Sequence, residues 1–160
     1  MSATDVGSYE RAYSRAWDRA QSLLKRRQAA SSLGLGVNTA LLAAMAFVMR
    51  GDTLTLRPRL LVIAILLSAG IIACLHWRRS LQAYQRLMSW WYSKLREMEE
   101  GFEDKRLHLA TAEYGALYSP KANPDLRVSL TTHEMKLINL LLGLHVAFAA
   151  LALTLALIDL

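Results

Sequence analysis

Asn38 stands inside a run of 21 residues without a charged side chain, 29–49, together with Ser31, Ser32 and Thr39. An amide that enters hydrocarbon without a partner costs free energy, so Asn38 must meet another helix or water. Two chemistries follow. Asn38 can hydrogen-bond across a helix pair, or Ser31, Asn38 and Thr39 can line a water-filled lumen, because polar groups inside membranes tend to face cavities. Gly36, Ala40 and Ala44 repeat every fourth residue beside them, a small-residue spacing that lets helices approach closely. Reactive chemistry is harder to build. His76, His108, His133 and His145 show no zinc-ligand spacing, no glycine-rich phosphate loop is present, and no serine or cysteine sits in a recognisable nucleophile context. No catalytic residue, cofactor or metal is therefore expected. The single cysteine, Cys74, has no intrachain disulfide partner.

The elements that must carry these side chains follow from composition. The chain has 160 residues, 54% hydrophobic and 20% charged. Its apolar residues concentrate in three charge-free runs, 29–49, 60–77 and 137–158, of 21, 18 and 22 residues. A helix needs roughly 17–25 apolar residues to cross a hydrocarbon core of about 30 Å. All three runs qualify. A soluble single-domain enzyme, a disordered chain and a disulfide-stapled secreted domain are excluded as readings. The expected fold is all-α: an amphipathic helix over 1–28, transmembrane helices at 29–49 and 60–77 joined by a short outside loop at 50–59, a helical region over 78–136, and a third span at 137–158.

Charge sets the orientation. Lys25, Arg26 and Arg27 abut the first span, and Arg78 and Arg79 abut the second. Basic residues at span ends stay on the cytosolic side, which predicts a cytosolic N-terminus, a cytosolic 78–136 segment and an outside C-terminus. The net charge of +6 is then explained by topology and anionic headgroups, so membrane lipid is the expected contact and direct nucleic-acid binding is not.

Two patterns organise the region outside the spans. Tyr9, Tyr13, Trp17, Ala20 and Leu24 are spaced 4-4-3-4, one face of a helix. Trp77, Leu81, Tyr84, Met88, Trp91, Leu95, Met98 and Phe102 are spaced 4-3-4-3-4-3-4, an unbroken stripe of period 3.5. That stripe predicts one helix from about Leu60 to Phe102, leaving the membrane without a break. One chain offers few other helices outside the membrane to cover three large aromatics. The eight stripe residues are thus the expected contacts between copies in a ring. Thr131 and Glu134 form a capping-box pattern that starts the last helix near Thr132.

Two resemblances bear on function. Arg127 and His133, with five residues between them, resemble the Arg–His motif of HEPN ribonucleases, in which the pair acts on an RNA 2′-hydroxyl and phosphate; a cap-adjacent structural role for His133 is the simpler alternative. Most of 9–150 resembles the bacterial RipA-like octameric membrane protein family. The matching pieces are Arg26-Arg27-Gln28, Val37-Asn38-Thr39-Ala40-Leu41-Leu42, Trp77, Tyr84-Gln85-Arg86-Leu87, Lys94-Leu95-Arg96-Glu97-Met98-Glu99, Glu113-Tyr114 and Leu130-Thr131-Thr132-His133-Glu134. The resemblance implies a homo-octamer in the bacterial inner membrane, related to the membrane accessory protein of type VI-B CRISPR systems, which works as a pore supporting antiviral defence. The expected function is a pore-forming effector or accessory of antiphage defence. The alternative is a non-conducting scaffold that recruits a cytosolic defence partner, and a membrane-anchored ribonuclease stands third.

Overall fold

The computed structural model describes residues 3–50, 55–102, 104, 108–118 and 130–158. Four helices account for nearly all of them: α1 (Ala3–Arg50), α2 (Leu56–Glu99), α3 (Leu109–Leu117) and α4 (Leu130–Ile158). No strand occurs among the described residues. Helices α1, α2 and α4 each contain a segment long and apolar enough to cross a membrane. Pro58 sits in the first turn of α2, where its missing N–H has no partner to lose. The amphipathic helix runs directly into the first span, and α1 is one helix of 48 residues.

The chain forms two compact units, and α1 and α2 contribute to both. The span unit comprises Ala29–Leu81 and Thr132–Leu160. Its cores are Cys74, Trp77, Leu81, Ile138 and Leu141, and Met45, Ile63 and Leu67. Along α2 the buried positions of this unit are Ile63, Leu67, Gly70, Cys74, Trp77 and Leu81, spaced 4-3-4-3-4. The 3.5-residue repeat thus begins inside the membrane segment, well before the aromatic residues that reveal it in the sequence.

The second, aromatic unit comprises Met1–Gln28 and Gln82–Thr131. Ala16, Ala20, Leu95 and Ala110 form its core, with Tyr13, Trp17, Trp91, Tyr92 and Met98 packed around them. Phe102 receives Tyr9 and Tyr13 edge-on, with ring centroids 5.5 and 5.3 Å away. The Arg96 guanidinium lies 3.9 Å over the Tyr114 ring, a cation–π contact that fixes α3 on α2.

Helix ends in this unit are closed by side chains from distant segments. At the end of α2, Gly101 N–H and Phe102 N–H turn back to the carbonyls of Met98 and Glu99, and Tyr9 Oη also donates to the Met98 carbonyl at 2.6 Å. The side chain at the N-cap of α3, His108, makes no capping bond. Glu99 replaces it. Its carboxylate accepts from the N–H groups of Ala110 and Thr111 at 2.6 and 2.8 Å, and from Tyr13 Oη at 2.7 Å. An acidic group at a helix N-terminus satisfies free N–H donors and meets the positive end of the dipole.

Candidate functional site

The polar residues of the span unit are sorted by the helix faces they occupy. Asn38 is fully buried. Its Nδ2 donates to the Gly34 carbonyl at 2.8 Å, and Cys74 Sγ donates to its Oδ1 at 3.0 Å. Both amide functions are used inside one chain. The expected lumen position therefore does not describe Asn38 in this packing, since a side chain with no accessible surface has none to offer water; the helix-pairing alternative does. Asn38→Leu is expected to weaken the α1–α2 contact by about 0.6–2 kcal/mol, lowering the melting temperature in detergent without changing subunit number. Loss of subunits at an unchanged melting temperature would place the amide between copies instead.

Ser31 is half-buried and donates to Glu134 Oε1 at 2.8 Å, tying α1 to α4. Helix α4 begins at Leu130, two residues before the expected start near Thr132. Thr39 is exposed, with its hydroxyl folded back onto the Leu35 carbonyl at 2.9 Å. Ser32, Gly36, Thr39 and Ala43, spaced 4-3-4 along α1, are all exposed, and a Cβ built on Gly36 would meet nothing within 4 Å.

Two glycines admit rings from neighbouring helices. Trp77 lies against Gly34, and His145 lies against Gly70, each so close that a Cβ would collide with the ring. His145 is fully buried, and its Nδ1 donates to the Leu141 carbonyl at 2.7 Å. That leaves Nε2, without a partner, facing Gly70.

The stripe residues divide. Trp77, Leu81 and Leu95 are buried at 4%, 0% and 0% exposure by helices of their own chain, a partner the sequence reading did not give them. Trp91 and Met98 pack on the aromatic core and Phe102 on Tyr9 and Tyr13, each partly buried. Tyr84 and Met88 are half-buried. The division has a simple cause: a 3.5-residue repeat identifies a seam but not its partner, and α1, α3 and α4 of the same chain supply one. On the other side of α2, Leu87 and Trp90 are exposed. Neither belongs to the stripe, and an indole at an off-stripe position was the available signal. Glu99 also escaped notice, because it sits in an acidic run that reads as solvated surface.

Glu99 is the electrostatic centre of the aromatic unit. Burial works against its charge, but the hydroxyls of Thr111 and Tyr13 and two backbone N–H groups outweigh it, holding the carboxyl below the ordinary range. Burial, then the bond to Glu99 and its charge, push the Tyr13 hydroxyl up. Of the ribonuclease-like pair, His133 is exposed and Arg127 lies outside the described residues. Among the described residues no group of three or more His, Cys, Asp or Glu side chains converges as metal ligands.

The family model described as "Octameric membrane protein family (8xMP)" matches residues 10–155. No curated protein and no solved structure matches. The match takes in all three membrane-length helices and both compact units. The chain belongs to the octameric membrane protein family and is an oligomeric, multi-pass membrane protein.

Proposed function

We propose that the protein is a pore-forming effector or accessory of antiphage defence, set in the bacterial inner membrane with its N-terminus in the cytosol and without enzymatic activity of its own. One observation carries the reading. The exposed large apolar side chains in the membrane-length parts of α2 and α4 are aliphatic: Leu61, Ile65 and Ile72 on one, Leu140, Leu151, Leu153 and Leu157 on the other. Ser68 and Thr154 each bond their own helix, and on α4 exposed Asn139, Gly143, Ala147 and Ala150 lie in line with Thr154. On α1 the exposed surface holds Leu33, Leu35, Val37 and Phe47, and beside them a small, hydroxylated row with Ser32, Gly36 and Thr39. A closed ring in a bilayer has a lipid face and an axial face, and that division suits aliphatics outward and the α1 row toward the axis. Thr39 spends its proton on Leu35 and keeps acceptor capacity for water. Repeated around an axis, it makes a polar ring of the kind that wets a pore. Ser31 lies about two turns away, on the edge of that row.

The test is a potential-sensitive dye in liposomes that carry the purified oligomer. Gly36→Leu combined with Thr39→Leu makes the row apolar and favours dewetting, so conduction should fall at least tenfold while the oligomer survives. Asn38→Leu should leave conduction intact. A parent protein that never conducts, with its oligomer present, replaces the pore with the scaffold reading.

A further inference from the structure

We propose that Trp90 is the knob, and a groove between α1 and α3 the socket, of a head-to-tail contact between neighbouring copies of this chain. The contact rests on self-association and is independent of whether the ring conducts.

Trp90 is 56% exposed and Leu87, one turn earlier, 43%. The Trp90 ring stands edge-on to Trp91, centroids 4.9 Å apart, and Trp91 packs on the aromatic core. The knob is therefore steadied at its base and uncovered at its tip. Tryptophan at a membrane surface often anchors in headgroups. That role does not fit Trp90, which lies thirteen residues past the charge-free run ending at Trp77, roughly 20 Å of helix rise. A headgroup layer is only about 5–8 Å thick on each side.

The socket belongs to the same unit. Tyr13, Ser14, Trp17 and Leu109 line a shallow, open groove of about 290 Å³. Leu109 is 60% exposed at its rim. Charge matches the two surfaces. Arg86, Trp90 and Lys94 form one exposed row on α2, so the knob is flanked by cations. Glu10, Ser14 and Asp18 form the same exposed row on α1, so the socket is flanked by carboxylates. Arg11 and Arg15 border that row, and Lys94 is shared with Glu97 at 2.9 Å. The charges thus orient the contact, and the buried indole supplies most of its strength. Knob and socket are different surfaces of one chain. Such a heterologous contact generates a ring when its rotation closes, as an octamer requires.

The full-length chain in its membrane provides the test. Ser14→Cys and Lys94→Cys placed in one chain, with Trp90 kept, should give, on oxidation, a disulfide-linked ladder from dimer to octamer that reductant collapses. Neither single variant should cross-link, and buried Cys74, present throughout, is the internal control. An intact oligomer without the ladder overturns the proposal. So does a dimer from Lys94→Cys alone, which sets knob against knob, or a cross-link to a chain of different mass, which assigns the Trp90 row to another protein. Trp90→Ser probes the same contact without cysteines and should cut the octamer fraction at least tenfold at fixed protein and detergent; an unchanged octamer overturns the proposal. A ladder in vesicles that do not conduct leaves the contact standing and removes only the pore.

Discussion

Gly70→Ala should destabilise the span unit by about 1–3 kcal/mol, the usual cost of overpacking a filled core. The new methyl collides with the His145 ring, and that ring cannot swing away without breaking the Nδ1–Leu141 bond. The prediction has an internal check. His145→Ala removes the obstacle, so the double variant Gly70→Ala/His145→Ala should be more stable than the sum of the single effects by at least about 1 kcal/mol, because residues in contact do not act independently. Unfolding titrations in mixed detergent measure all four species. Strict additivity would show that Gly70 and His145 do not pack together in the membrane.

The second large effect belongs to Glu99. Glu99→Ala leaves the N–H groups of Ala110 and Thr111 and the Tyr13 hydroxyl without an acceptor, at about 1–3 kcal/mol for each group that stays buried. Glu99→Gln should rescue only part, since an amide has one acceptor oxygen where the carboxylate has two. The same centre sets a pH window. The Glu99 pKa is lowered by folding, so its contribution is complete above its ordinary value of 4.5 and is lost as pH falls through the lowered folded value. The Tyr13 pKa is raised, so its contribution is complete below 10.0 and is lost as pH climbs toward the raised folded value. Thermal melts should therefore be flat between these limits. Glu99→Gln should flatten the acid limb and Tyr13→Phe the alkaline one. An acid limb that survives Glu99→Gln would assign it to another carboxylate.

How much of this was readable in advance depends on what each signal encodes. The three charge-free runs became membrane-length segments of α1, α2 and α4, because length and apolarity are local properties. The stripe from Trp77 to Phe102 marked α2 as one long helix, and α2 indeed runs unbroken through the end of the second span to Glu99. Its partner was not readable, because periodicity describes one surface and says nothing of what covers it. Asn38 illustrates the same gap: the cost of a bare amide demanded a partner, but only packing identified Cys74 and Gly34. Glu99 was less visible still. Its neighbours Glu97 and Glu100 are exposed, and only its position one residue past the stripe member Met98 separates it from solvated acids.

The aromatic unit is discontinuous in the chain, since Met1–Gln28 must meet Gln82–Thr131 across the two spans between them. This has a consequence for biosynthesis. Its first piece leaves the ribosome with half a core and no acceptor for Tyr9 or Tyr13, whose partners Met98 and Glu99 come 89 and 86 residues later. At about 5–20 residues per second, that piece waits roughly 4–18 s. Both membrane crossings are synthesised during that interval. Maturation is therefore ordered: insertion of the first two spans precedes closure of the aromatic core, and a nascent chain stalled before Glu99 carries an unsealed, aromatic-rich N-terminus open to chaperones and proteases.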